Sequence, residues 1–171
     1  MSIQKSEIKL EVSGKSVNAY LASPANGGPG ILVLHAWWGL KPFFKQVCDQ
    51  LAEHGFVAFA PDLYQGRVAH TIDEAKAFQA EFEQSDPEHL GAAVKAAQNY
   101  LSDLYAGKPT GVMGFSMGAA WSMIVAANEP NVSTVVLFYG AYGPDLSQIK
   151  AKVLGHFAEV DEWEPLDGIN A

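Results

Sequence analysis

The sequence contains one cysteine, one arginine, and no apolar run approaching the roughly 20 residues needed to cross a bilayer. A lone cysteine excludes an internal disulfide framework, and Cys48 shares helical spacing with Phe44, Val47 and Leu51, where a thiol acts as a small core residue. Cations are scarce: 11 Lys and Arg against 19 Asp and Glu leave a net charge of −8. Nucleic acid or an anionic membrane surface would require a basic face, so neither is expected as a partner; a small molecule is. The opening MSIQKSEIKL lacks an apolar signal-peptide core, which leads to the expectation of a cytoplasmic protein. With no repeats, low-complexity tracts or long charge blocks, 171 residues that are 49% hydrophobic are expected to form one domain over 1–171.

What is present is an alternation of strand and helix signals. Residues 7–12 and 17–22 read as strands around Ser13-Gly14-Lys15, an opening antiparallel hairpin. The loop 24–30 then delivers the chain into Ile31, Leu32, Val33 and Leu34, apolar on both faces as a central parallel strand would be. A helix over 42–54 stops at Gly55, a strand follows over 56–60, and Thr71 with Glu74 forms a capping box for a helix to about Phe82. Asp86 and Pro87 open another helix, with Leu90, Val94, Ala97 and Leu101 on one face. Strands are expected over 110–113, 132–139 and 152–158. Strands alternating with helices, joined by short connections, predict an α/β fold: a mostly parallel sheet with helices on both faces.

The chain is organised around residues 111–118, GVMGFSMG. Glycine on both sides of Ser116 suits a sharp strand-to-helix turn in which neighbouring segments approach too closely for Cβ atoms. Such a turn pushes the serine oxygen into the open beyond the carboxyl end of the strand. The free N–H groups of the helix that starts there face any negative charge developing on an attacked carbonyl.

Ligands in such sheets bind beyond the carboxyl ends of the strands. Residues 35–38, 61–64, 116, 139–142 and 159–161 all fall there. Serine attack needs a base, a carboxylate that orients it, and two oxyanion donors. The backbone N–H of Met117 is one donor and that of Trp37 the other; simple packing over the sheet edge is compatible with that role for Trp37 and Trp38. Asp161 stands where the orienting carboxylate belongs in the order Ser, Asp, His, with a solvated loop aspartate as the alternative and Glu159 and Glu162 as neighbours. Trp38, Tyr64, Tyr139 and Tyr142 suggest an aromatic pocket wall suited to short or aromatic esters. His35, at the end of the strand beside the elbow strand, joins them as a substrate-contacting candidate, either a surrogate base or a packed histidine.

Taken together, HAWWGL, APDLYQG, GFSMGA and GHFAEVDEWEP resemble, in order and spacing along nearly the whole chain, the dienelactone hydrolase family of α/β-hydrolases. The resemblance implies a three-layer α/β-hydrolase-like sandwich and a carboxylester or lactone hydrolase working without metal or organic cofactor. Ser116 would be the nucleophile, Asp161 the acid, and Trp37 and Met117 the oxyanion donors.

The family's best-known members carry cysteine where this chain has Ser116 and an acidic residue where it has Ala36, a paired change that shifts the expected substrate toward simple esters. They also hold a substrate carboxylate with arginines, and Arg67 is the only arginine here. The family histidine follows the acid beyond one more helix and strand, whereas no histidine follows Asp161 in this sequence. The expectation is therefore a C-terminally shortened fold lacking its last helix and strand, with weak or absent activity. A catalytically silent domain serving binding or self-assembly is the alternative. The strand over 153–158 would then be an uncovered edge, and a homodimer or higher oligomer through the carboxyl-terminal region is expected.

Overall fold

Strands β1 (Ile3–Val12) and β2 (Lys15–Pro24) pair antiparallel around Ser13 and Gly14, whose φ values are 50° and 77°. Two successive positive φ values give the turn the twist a hairpin requires, and glycine adopts the second without a Cβ penalty. The computed structural model describes residues 2–86, 88–105, 108–144 and 146–164. The hairpin extends a sheet whose other strands are β3 (Gly30–Leu34), β4 (Val57–Pro61), β5 (Thr110–Phe115), β6 (Val132–Phe138) and β7 (Lys152–His156). Their order is β1-β2-β4-β3-β5-β6-β7. β2 meets β4 antiparallel, and every pairing from β4 to β7 is parallel.

The first and third helices go where their apolar stripes dictate, and the fourth, apolar nearly all round, is sandwiched against the sheet. Helix α1 (Pro42–Glu53) buries Phe44, Cys48 and Ala52 against one sheet face with Val33, Ala58 and Ala60. Helices α3 (His89–Leu104) and α4 (Met117–Asn128) cover the other face, placing Val94, Ala97, Leu101 and Met123 against Leu32, Leu34 and Val112. Leu32 and Leu34 point one way and Val33 the other, the two-residue period of a strand buried on both sides. The result is the expected three-layer α/β arrangement. Cys48 is fully buried, and burial pushes its thiol up to about 12, so it is a core residue rather than a nucleophile.

Helix α2 (Ile72–Ser85) begins as the capping box predicts, with the Glu74 N–H donating to Thr71 Oγ1 at 3.2 Å. The return arm differs: Glu74 Oε2 accepts from the N–H of His70, one residue before the cap, at 2.6 Å. α3 starts at His89, later than the Asp86-Pro87 signal suggests: Asp86 is the C-cap of α2, its N–H donating to the Phe82 carbonyl at 3.0 Å and its carboxylate paired with Lys15 Nζ at 2.6 Å; Pro87 lies outside the described residues. β7 ends at His156, two residues short of expectation. Its last bond to the neighbouring chain is the Tyr139 N–H donating to the His156 carbonyl at 2.9 Å, and Tyr139, with φ 42°, turns away from the sheet there.

Candidate active site

β5 ends and α4 begins at Ser116, which takes φ 51° and ψ −114°. A serine in that region is strained, and it is held by its surroundings. Its N–H donates to the Phe138 carbonyl at 2.9 Å, and its own carbonyl accepts from Ala119 at 2.8 Å. The flanking glycines are required by space. A Cβ on Gly114 would lie 2.1 Å from the Gly118 carbonyl oxygen, and one on Gly118 would lie 2.1 Å from that of Leu34. Gly140 is similarly constrained, since a Cβ there would reach the Ser116 carbonyl at 2.7 Å.

Just behind the rim, three rings in register lock β5, β6 and β7 together. Phe115 stacks on Phe138 and Phe138 on His156, each pair at 4.7 Å between centroids. The residues that follow these rings therefore leave the sheet side by side. Of the four non-glycine residues with positive φ among the described residues, Ser116 and Tyr139 both emerge here, on adjacent strands.

They open into a cavity of about 480 Å³. Its floor is Ser116, Met117 and Ala120 at the start of α4. Trp37 and Trp38 form one wall, and Tyr139 and Tyr142 another. Asp161, Trp163 and Glu164 arrive after β7, and Ile72 and Gln79 come from α2. Six of the residues singled out from sequence as site or pocket candidates thus line one cavity together with Ser116: Trp37, Trp38, Met117, Tyr139, Tyr142 and Asp161.

Asp161 is organised as a turn. Its Oδ1 accepts from the N–H groups of Trp163 and Glu164 at 2.8 and 3.1 Å. That turn lays the Trp163 ring edge-on against Trp37, centroids 5.7 Å apart. Glu164 accepts from the Ala141 N–H, which ties it to the loop after β6; burial, followed by the nearby Asp161 charge, raises its carboxyl above the ordinary range.

Two expectations require correction. His35 is fully buried and does not face the cavity. Its Nδ1–H donates to the Ala36 carbonyl at 2.6 Å, so Nε2 is the acceptor, taking the Leu63 N–H at 3.1 Å. With both ring nitrogens engaged and burial holding its pKa below the ordinary value, His35 is a neutral staple between two loops, neither a base nor a substrate contact. Tyr64 is also fully buried, because Asp62 curls the 61–64 segment under the rim by accepting from the N–H groups of Tyr64 and Gly66. The Tyr64 hydroxyl donates to Met117 Sδ at 3.4 Å, so it supports the floor from beneath.

The remaining histidines do not line the cavity either. His54 bonds to the Gln50 carbonyl at the end of α1, His70 is exposed before α2, His89 contacts Gln65 in the α2–α3 region, and His156 is in the ring stack. Among the described residues no group of three His, Cys, Asp or Glu side chains could hold a metal ion, and no helix is long and apolar enough to span a membrane. Sequence reasoning missed Trp163 and Glu164, although both lie within the GHFAEVDEWEP stretch; the readable signal was an aspartate positioned to accept from the backbone two and three residues on. Ile72 and Gln79, two helical turns apart on α2, carried no chemical signal at all.

Residues 17–170 match the family model described as the dienelactone hydrolase family. The chain is 36% identical over 165 residues to "Protein usf" of Aquifex pyrophilus, covering 91% of this chain and 71% of that protein. It is also 36% identical over 167 residues, with the same coverage, to a protein of Aquifex aeolicus provisionally named a carboxymethylenebutenolidase. In fold it is similar to a crystal structure from Klebsiella pneumoniae provisionally named a dienelactone hydrolase, with a TM-score of 0.85 at 23% identity over 99% of this chain and 78% of that one. A match across nearly its whole length, joined to this sheet order and elbow, means that the chain belongs to the dienelactone hydrolase family of hydrolases.

Proposed function

We propose that this chain is a carboxylester or lactone hydrolase in which the Ser116 hydroxyl attacks the carbonyl carbon. The observation that carries the reading is the left-handed Ser116 at the strand-to-helix junction, on the floor of a cavity that Asp161 also lines. As the Oγ–C bond forms, negative charge moves to the carbonyl oxygen. The backbone N–H groups of Met117, at the start of α4, and of Trp37 are the donors assigned to it. Trp38 and Tyr139 flank the substrate.

The serine proton is the difficulty. Asp161 is assigned to orient a base, yet none of the five histidines lines the cavity. Loss of one triad member leaves roughly 10³–10⁴-fold acceleration over water from the oxyanion hole and binding alone. Weak turnover is therefore the expectation for these 171 residues. The test is hydrolysis of p-nitrophenyl acetate by the chain and by Ser116→Ala, with and without added imidazole. A slow rate that imidazole raises in a saturable way, and that disappears in the variant, supports the reading; equal rates in both proteins overturn it.

A second reading, a unit that self-associates with little or no chemistry, is favoured by the far end of the sheet. Among the described residues β7 has no neighbour on its outer side, and all five of its residues are exposed, Val153 by 45% and Leu154 by 54%. On the α1 face, Phe43 is 53% exposed beside Phe115. An open parallel edge bearing apolar side chains is suited to a homodimer or higher oligomer through the carboxyl-terminal region.

A further inference from the structure

The cavity's charge and its rings also define which ester fits. Among the described residues, Asp161 and Glu164 are the charged ones that line it, and no lysine, arginine or histidine does. Arg67, the only arginine of the sequence, is elsewhere: it pairs with Glu81 at 2.7 Å and packs over Phe78 and Phe82 at 4.5 and 4.9 Å. A substrate carboxylate would thus meet two carboxylates and no guanidinium. Around those acids stand five aromatic side chains, Trp37, Trp38, Tyr139, Tyr142 and Trp163. An aromatic face attracts a cation through its quadrupole, most strongly for tryptophan and where water is excluded.

Two of these rings already hold cations. Lys41 Nζ lies 4.8 Å over Trp38 and Lys76 Nζ 5.9 Å over Trp163, although neither lysine lines the cavity. Glu164 follows directly on the Asp161 turn, to which its backbone N–H donates at 3.1 Å, and it lines the same cavity as the rings. Burial, followed by the nearby Asp161 charge, raises its carboxyl above the ordinary range.

The geometry points to esters carrying a cationic group, a quaternary or alkyl-ammonium such as a choline ester, as the substrate class of this cavity, with Glu164 and the ring of tryptophans and tyrosines as the cation subsite. This rests on the proposed hydrolase reading for the word substrate; the binding preference itself does not. A trimethylammonium head is too large and too weakly hydrated to need hydrogen bonds, so ring faces and one carboxylate suffice for it. A neutral ligand of the same shape gains only the apolar contact.

The test is equilibrium binding followed by tryptophan fluorescence, at pH 8 and low salt, with choline and with 3,3-dimethyl-1-butanol, its uncharged isostere. Choline is expected to bind at least about tenfold more tightly than the alcohol, and benzoate not to compete. In Glu164→Gln the choline preference should fall to about threefold or less. Equal or tighter binding of the alcohol, competition by benzoate, or an undiminished preference in Glu164→Gln overturns the inference. The comparison of the two ligands requires no variant, so a poorly folding Glu164→Gln does not leave the question open. Because no turnover is read, a chain without esterase activity still answers it, and failure of the hydrolase reading registers separately, in the Ser116→Ala kinetics.

Discussion

Gly118→Ala tests how tightly the elbow is built. The added Cβ would lie 2.1 Å from the Leu34 carbonyl oxygen, 2.6 Å from its carbon and 2.7 Å from the His35 carbonyl oxygen. All three are backbone atoms at the carboxyl end of β3, so no side chain can swing aside. Restoring contact distance means moving the first turn of α4 off the sheet by roughly 1 Å. Overpacking of this kind costs about 1–3 kcal/mol, and a backbone-on-backbone clash belongs at the upper end. Alanine is the better helix former by about 1 kcal/mol, which offsets part of the loss. The clash wins, leaving a net destabilisation of about 2 kcal/mol or more, equivalent to a fall of roughly 4–8 °C in Tm for a chain of this size. Gly111→Ala on β5, the strand that leads into the elbow, is the control, because its nearest neighbours are at 3.7 Å, ordinary contact. There the smaller entropy of the unfolded chain should leave stability unchanged or raised by about 0.4–1 kcal/mol. Urea unfolding followed by far-ultraviolet circular dichroism, with unchanged m-values, reads both. A Gly118→Ala protein as stable as its parent would refute the close approach of α4 to β3, and with it the steric reason for the motif.

Two further outcomes follow from the same structure. His35 is held neutral by burial, with its pKa lowered from 6.5, so at acid pH the unfolded chain binds a proton that the folded one refuses. That contribution to stability is complete above about pH 6.5 and is lost as pH falls toward the depressed value, with a slope of at most about 1.4 kcal/mol per pH unit; His35→Gln should flatten urea midpoints measured between pH 7 and pH 5, and an unchanged profile would mean that the ring is not the neutral staple described. The exposed β7 edge predicts a dimer or larger species by light scattering at micromolar concentration, dissociated by Leu154→Lys, and a monomer would remove the self-association reading.

The architecture was legible because its signals are local and repeated. Apolar runs such as 31–34 gave the parallel strands, Thr71 with Glu74 gave the start of α2, and Gly-x-Ser-x-Gly gave the elbow down to the residue that turns. Cavity-lining residues were legible where backbone position decides placement, as for Met117 after Ser116 or Trp37 after β3. They were not legible where side-chain direction decides. His35 and Tyr64 lie in segments that reach the rim, but one hydrogen bond to Leu63 and the Asp62 turn point them inward. Sequence position also says little about how a loop returns over a cavity. Glu164 is there because the Asp161 turn is local, and because the loop after β6 at Ala141, a neighbour only in space, lies beside it.

The account rests on Ser116 being the nucleophile at this cavity. The most direct measurement is the intact mass of the chain after prolonged incubation with a fluorophosphonate, in which the serine oxygen forms a bond to phosphorus and fluoride leaves, followed by peptide mapping. The account predicts one adduct, on the peptide containing Ser116, absent from Ser116→Ala and formed faster when imidazole is added. No adduct under conditions that leave the chain folded, or an equal adduct in the variant, would contradict it.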